Sequence, residues 1–181
     1  MKKPKPTKAE RRVAIAKDVL AQLRLERYVA TEGVYVDHRV AELASTAPDK
    51  PLEKLLPQVK SCEVCALGAC FLSAVRKYND VKAGEIDDPE TFMRYDGSMM
   101  TEHMFNDTTM RTKLARHFTD AQTGLIESAF ERMPMGSLTD EGAADAIDFG
   151  HCYDTDHDRL VAIMKNIVKN DGTFKPGRAQ V

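Results

Sequence analysis

From Thr7 to about Val29 the apolar residues Val13, Ala16, Val19, Leu20 and Leu23 recur at steps of three and four, with Lys, Arg and Glu between them. That is the period of a helix with one buried face. Gly33 follows, and Val34-Tyr35-Val36 is the one convincing short extended segment of the N-terminal third. Residues Ser45 to Pro51 hold two prolines among polar turn formers and predict a loop. Next, Ser61 stands where a helix N-cap belongs and Glu63 where an acid meets the positive end of the dipole, predicting a helix to about Tyr78. Cys62, Ala66, Ala69, Cys70 and Ser73 form a small-residue stripe on it with Gly68 alongside, flanked by the bulk of Leu67, Phe71, Leu72 and Val75. A face of that kind lets another backbone approach closely, so this is expected to be the central helix.

Residues 80 to 100 read as an irregular, mobile loop, with Gly84, Asp87-Asp88-Pro89 and Asp96-Gly97 as turn signals. Helical character returns from Asp107 to His117 and from Asp120 to Arg132. In the second of these Thr119 and Gln122 match a capping box, and Leu125, Ile126, Ala129, Phe130 and Met133 are expected to face inward. A short helix from Asp140 to Phe149 follows Thr139 and stops at Gly150. The last helix begins at Thr155 as N-cap, carries Leu160, Ile163, Met164 and Ile167 as its apolar stripe, and ends at Gly172, after which Phe174 is expected to fold back. The sum is a mainly α protein: a single globular helical domain, residues 10–176, with at most a minor β element. A basic flexible tail (1–9) and a short C-terminal tail (177–181) flank it.

Composition agrees with a soluble globular class: 181 residues, 43% hydrophobic and 30% charged, enough chain to build a core without disulfides or metal. The net charge of −2 hides an asymmetry. In the first twelve residues six basic side chains against one acid give +5, whereas residues 80–160 hold 7 basic and 18 acidic side chains, a net of −11. The acidic half repels polyphosphate, which argues against duplex nucleic acid as a partner. No apolar run approaches the roughly 20 residues of a membrane helix, and no apolar stretch follows the basic N-terminus. A cytoplasmic protein without a membrane partner is therefore expected, and its four cysteines are expected to be reduced thiols.

The candidate chemistry centres on Cys62 and Cys65, a C-x-x-C at the predicted helix start, where a dipole lowers thiol pKa values and two thiolates grip one metal. His151 and His157 are the candidate third and fourth zinc ligands. Ordinary buried thiols are the favoured reading. Asp154, Asp156 and Asp158 match the start of a calcium loop, but Arg159 and Lys165 stand where that loop needs glycine and a bidentate glutamate, so dipole compensation explains the acids better. His157-Asp158 is also a phosphohydrolase dipeptide, without the further downstream aspartate such a site requires. A thiol hydrolase would pair Cys62 with His103, His117 or His151, and nothing in the spacing fixes that geometry. The remaining anomaly is methionine: Met93, Met99, Met100, Met104, Met110, Met133 and Met135 fall within 43 positions, either an adaptable contact surface or core filling.

The segments Cys62-Glu63-Val64-Cys65-Ala66-Leu67-Gly68-Ala69 and Arg159 to Ile167, with Asn170, Gly172-Thr173-Phe174 and Pro176, resemble a group of small bacteriophage and prophage proteins. Leu125 to Glu131 looks like the same group, so the resemblance spans roughly residues 10 to 176. These motifs identify kin, not chemistry, and no catalytic residue carries over. The resemblance implies a phage accessory protein in the host cytoplasm. The expectation is a non-enzymatic binding protein without a cofactor, which holds a host protein or sequesters a small nucleotide-like signalling molecule in host takeover or anti-defence. The alternative is a thiol- or zinc-dependent enzyme centred on Cys62 and Cys65.

Overall fold

The computed structural model describes residues 5–78, 81–93, 99–136, 138 and 140–177, with side chains left out for 89–104 and 140. The elements in chain order are α1 (Lys8–Arg24), β1 (Tyr28–Ala30), α2 (His38–Ser45), α3 (Leu52–Leu55), β2 (Cys62–Val64), α4 (Ala66–Tyr78), β3 (Asp87–Met93), β4 (Met99–Phe105), α5 (Asp107–Leu114), α6 (Asp120–Glu131), α7 (Asp140–His151) and α8 (Asp156–Lys169). The protein is mainly α, with two small two-stranded ladders. No helix among the described residues is long and apolar enough to cross a membrane.

Local chemistry sets most helix starts. Thr7 and Glu10 form a reciprocal capping box on α1. Thr155 accepts the Asp158 N–H at 3.0 Å, so Asp158 stands in the first turn of α8, where its charge opposes the dipole. Asp37, which the sequence reading passed over, caps α2 through the Arg39 N–H at 3.0 Å. Thr119 caps α6, but the Gln122 amide does not complete a capping box. It reaches the C-terminal segment instead, accepting the Phe174 N–H at 2.7 Å and donating to the Phe174 carbonyl at 3.2 Å. Phe174 does fold back: it is buried edge-on against Phe149 with ring centroids 5.2 Å apart. The expected cap at Thr139 lies outside the described residues.

Three expectations need correction. The first helix ends at Arg24, not near Val29, because Glu26 takes a left-handed φ of 55° and turns the chain into β1. Ser61 caps nothing: Cys62, Glu63 and Val64 form β2, parallel to β1 in the register Tyr28↔Cys62, Val29↔Glu63, Ala30↔Val64, and α4 begins only at Ala66. The burial of Cys62 and Val64 with Glu63 exposed is the period of two that marks a strand. The segment 80–100 contains an antiparallel hairpin, β3 with β4, running from Asp87↔Phe105 to Met93↔Met99. Val34-Tyr35-Val36 contributes one bridge, Val36 to Val64, and otherwise crosses α4 as an extended strap.

That crossing fixes the centre of the fold. A Cβ added at Gly68 would stand 1.5 Å from the Tyr35 carbonyl oxygen, so the strap lies directly on the helix backbone, as the small-residue face of α4 predicts. The same device recurs where α7 meets α6, with Gly150 against the Ala129 carbonyl. Around α4, whose residues Ala66 to Val75 are all buried, α1 packs on one side and α5 and α6 on others, while α8 packs on α1 and α6. We expect Gly68→Ala to lower stability by about 3 kcal/mol, since a backbone carbonyl cannot yield as a side chain does. Gly177→Ala, where a Cβ meets nothing within 4 Å, is the neutral control in the same denaturant titration.

Candidate functional site

The four proposed zinc ligands do not converge. Cys62 is buried on β2 and Cys65 at the β2–α4 junction, whereas His151 ends α7 and His157 lies in the first turn of α8, both exposed. Among the described residues no three His, Cys, Asp or Glu side chains are grouped to hold a metal ion. The thiols are also poor nucleophiles. Burial pushes Cys62 and Cys65 up to about 12 and raises Cys70 further. At pH 7 a thiol of that pKa is ionised to the order of one part in 10⁵. The dipole argument fails with the helix start, because Cys62 is in a strand. The charged groups acting most on it are Asp37, Arg39 and Glu63, not an imidazole. His117 is buried elsewhere, stacked on Tyr78 at 5.0 Å, and the side chain of His103 lies outside the described residues.

Asp156 has a structural task instead of a calcium-binding one. It accepts the Glu32 N–H at 2.9 Å and faces the Arg159 guanidinium at 3.2 Å. Of the clustered methionines, Met110 is in the core, Met133 is 53% exposed instead of facing inward as expected, because it lies past the end of α6, and the side chains of Met93, Met99, Met100 and Met104 lie outside the described residues.

Two polar regions remain, one on each side of the strap. The first is a cavity of about 320 Å³ where the end of α1, β1, the segment 56–62 and α4 meet. Among the described residues Arg27, Lys60 and Arg76 line it and no carboxylate does; Leu56, Val59 and Leu72 supply apolar wall. Asp18 stands behind Arg76 at 3.3 Å and also meets Lys77 at 3.4 Å, which offsets part of that charge. Arg27 and Lys60 enter no ion pair among the described residues. Gln22 is buried in the same wall with its carbonyl oxygen unpartnered, and Cys62 lines the floor beside Tyr28, whose hydroxyl lies 3.4 Å from Ser73 Oγ.

The second region is a chain of carboxylates and arginines running from α5 through α6 to α8. Arg111 grips Glu127 with both guanidinium nitrogens, at 2.7 and 3.2 Å, while the Tyr35 hydroxyl donates to the same carboxylate at 2.7 Å. Glu127 is only 2% exposed, so this pairing compensates a buried charge. Next along the chain, Arg132 and the fully buried Arg159 share Glu32, and Arg159 also donates to the Phe130 carbonyl. Sequence reading missed these residues because their partners are far apart along the chain, Tyr35 with Glu127 and Glu32 with Arg159. The only local hint was a run of acids on helices with no matching i+4 cations.

Burial sorts the thiols into two classes with a simple readout. An aromatic disulfide reagent added to the native protein is expected to modify the exposed Cys152 quickly, with Cys65 and Cys70 reacting only after denaturation. Fast modification of Cys65 or Cys70 in the native protein would contradict their dry packing.

In comparisons with known proteins, no family model, no curated protein and no solved structure matches this chain.

Proposed function

We propose that this chain is a non-enzymatic binding protein for a small anionic, nucleotide-like molecule, held in the cavity between α1 and α4. One observation carries the reading: among the described residues, three cationic side chains and no carboxylate line a cavity of about 320 Å³ whose remaining wall is largely apolar. Such a site suits a ligand with a phosphate at one end and a flat body at the other. Arg27 and Lys60 meet the anion, and Leu56, Val59 and Leu72 cover the body. The resemblance to phage and prophage proteins gives the activity a setting, sequestration of a host signalling molecule in host takeover or anti-defence. A small ligand is favoured over a host protein because Arg27, Lys60 and Arg76 line one cavity of about 320 Å³.

Thermal denaturation with added mononucleotides tests this. Saturating adenosine or guanosine monophosphate should raise the melting temperature, the matched nucleosides should not, and the effect should shrink as salt is raised. The Arg27→Ala/Lys60→Ala double variant should bind at least tenfold more weakly while melting unliganded as the parent does. No stabilisation by any mononucleotide, or an undiminished one in the double variant, overturns the reading. The competing thiol- or zinc-dependent enzyme at Cys62 and Cys65 makes a different forecast: Cys62→Ser would abolish its activity, whereas a binding protein keeps its ligand.

A further inference from the structure

A second cavity, of about 230 Å³, opens where the C-terminal end of α6 meets the strap. Gly33, Tyr35, Glu127, Glu131, Met133 and Met135 line it. A charge census around it is uneven. Four carboxylates, Glu32, Glu127, Glu131 and Asp156, face three guanidinium groups, Arg111, Arg132 and Arg159, and each guanidinium is already committed. Arg111 is held by Glu127, Arg132 by Glu32, and Arg159 by Glu32 and Asp156. Glu131 is the carboxylate left over.

Among the described residues its hydrogen bond is a single one, from the Gly33 N–H to Oε2 at 2.9 Å. Burial raises its pKa, and the carboxylates of Glu32, Glu127 and Asp156 add to the rise. A half-buried carboxylate whose guanidinium neighbours are paired to other acids is costly to keep ionised, and a cation that enters the cavity removes that cost. The walls select the kind of cation. A bare metal ion wants several oxygen ligands, and besides Glu131 the lining offers one carboxylate, Glu127, already held by Arg111 and Tyr35, with two thioethers and a phenol ring. Thioethers and aromatic surface suit the methylene stem of an organic cation, and the exposed Met133 leaves an entrance.

We propose that this cavity binds a small organic ammonium ion, its charged nitrogen against Glu131 and its alkyl stem against Tyr35, Met133 and Met135. The site is separate from the anion cavity and its test does not depend on that reading. The probe is n-butylammonium chloride, titrated at mildly alkaline pH into protein carrying isotope-labelled methionine methyl groups, with 1-butanol as a neutral control of nearly the same shape and sodium chloride at matched ionic strength. The expected result is saturable movement of the Met133 and Met135 signals with butylammonium, at least tenfold weaker with 1-butanol and absent with sodium. Glu131→Gln retains an acceptor for the Gly33 N–H and should fold; it should lose at least tenfold in butylammonium affinity. Met133→Ala changes an exposed wall residue and serves as a second variant, expected to weaken butylammonium binding while leaving its preference over 1-butanol intact. Equal responses to the amine and the alcohol, an undiminished affinity in Glu131→Gln, or no saturable shift at all overturns the proposal.

Discussion

The contact between the Gly68 backbone and the Tyr35 carbonyl is the constraint on which the centre of the fold depends. It exists because position 68 has no Cβ, which brings the strap against α4 at backbone distance, and the surrounding hydrogen bonds are possible only at that spacing. Thr31 N–H reaches the Val64 carbonyl at 3.0 Å, Asp37 N–H reaches Glu63 at 2.9 Å, and Cys65 N–H closes on Val34. A strap of seven residues, 31 to 37, is thereby pinned at both ends and in the middle. Gly33 and Tyr35 then face α6 on one side, while Asp37 starts α2, whose Val40 reaches the anion cavity on the other. The small-residue stripe and the buried thiols are one phenomenon. Cys65 and Cys70 are small apolar side chains in a helix that must admit a neighbouring backbone, which is why they are protonated and dry.

The second organising feature is electrostatic. Burying a guanidinium as completely as that of Arg159 costs several kcal/mol before its partners are counted. Glu32, Asp156 and the Phe130 carbonyl offset that cost, with the Phe130 ring below the guanidinium at 5.4 Å. These groups come from the strap, α8 and α6, so the ion cluster works as a positional lock that ties the strap to two helices already packed on each other. Glu127 does the same for the strap, α5 and α6 through Tyr35 and Arg111. Because removing one member strands the others in a poorly solvated place, such clusters specify one arrangement more than they add net stability.

How much of this was legible in the sequence follows from the range of the interactions involved. Thr7, Thr155 and the apolar stripe of α8 act within one or two helical turns, and their helices start where the pattern places them. Gly68 was legible as a close-approach site because smallness is visible without knowing the partner. Cys62 to Val64 was misread because three residues are too few to separate a strand from a helical first turn by period, and the deciding interaction is the ladder with Tyr28 to Ala30, some thirty residues away. The hairpin of Asp87 to Phe105 was hidden for a related reason: its strands show no regular alternation of polar and apolar residues and one holds a proline, so only cross-strand pairing distinguishes it from a loop. Neither cavity was legible, since Arg27, Lys60 and Arg76, like Gly33 and Glu131, meet only through tertiary structure.

The charge asymmetry of the chain illustrates the limit of reading composition as recognition. A net of −11 over residues 80–160 argues against a polyanion lying along that surface. It does not decide what enters the cavity between α1 and α4. At physiological salt the Debye length is about 8 Å, so charges well beyond the rim are largely screened, whereas Arg27, Lys60 and Arg76 line the cavity and stand within that range of anything that enters it. The same argument holds in reverse for Glu131. Its environment is set by Glu32, Glu127 and Asp156, and the +5 of the first twelve residues is not among the charges acting most on it. Under both proposals recognition rests on the side chains that line each cavity, and a net charge of −2 carries almost no information about it.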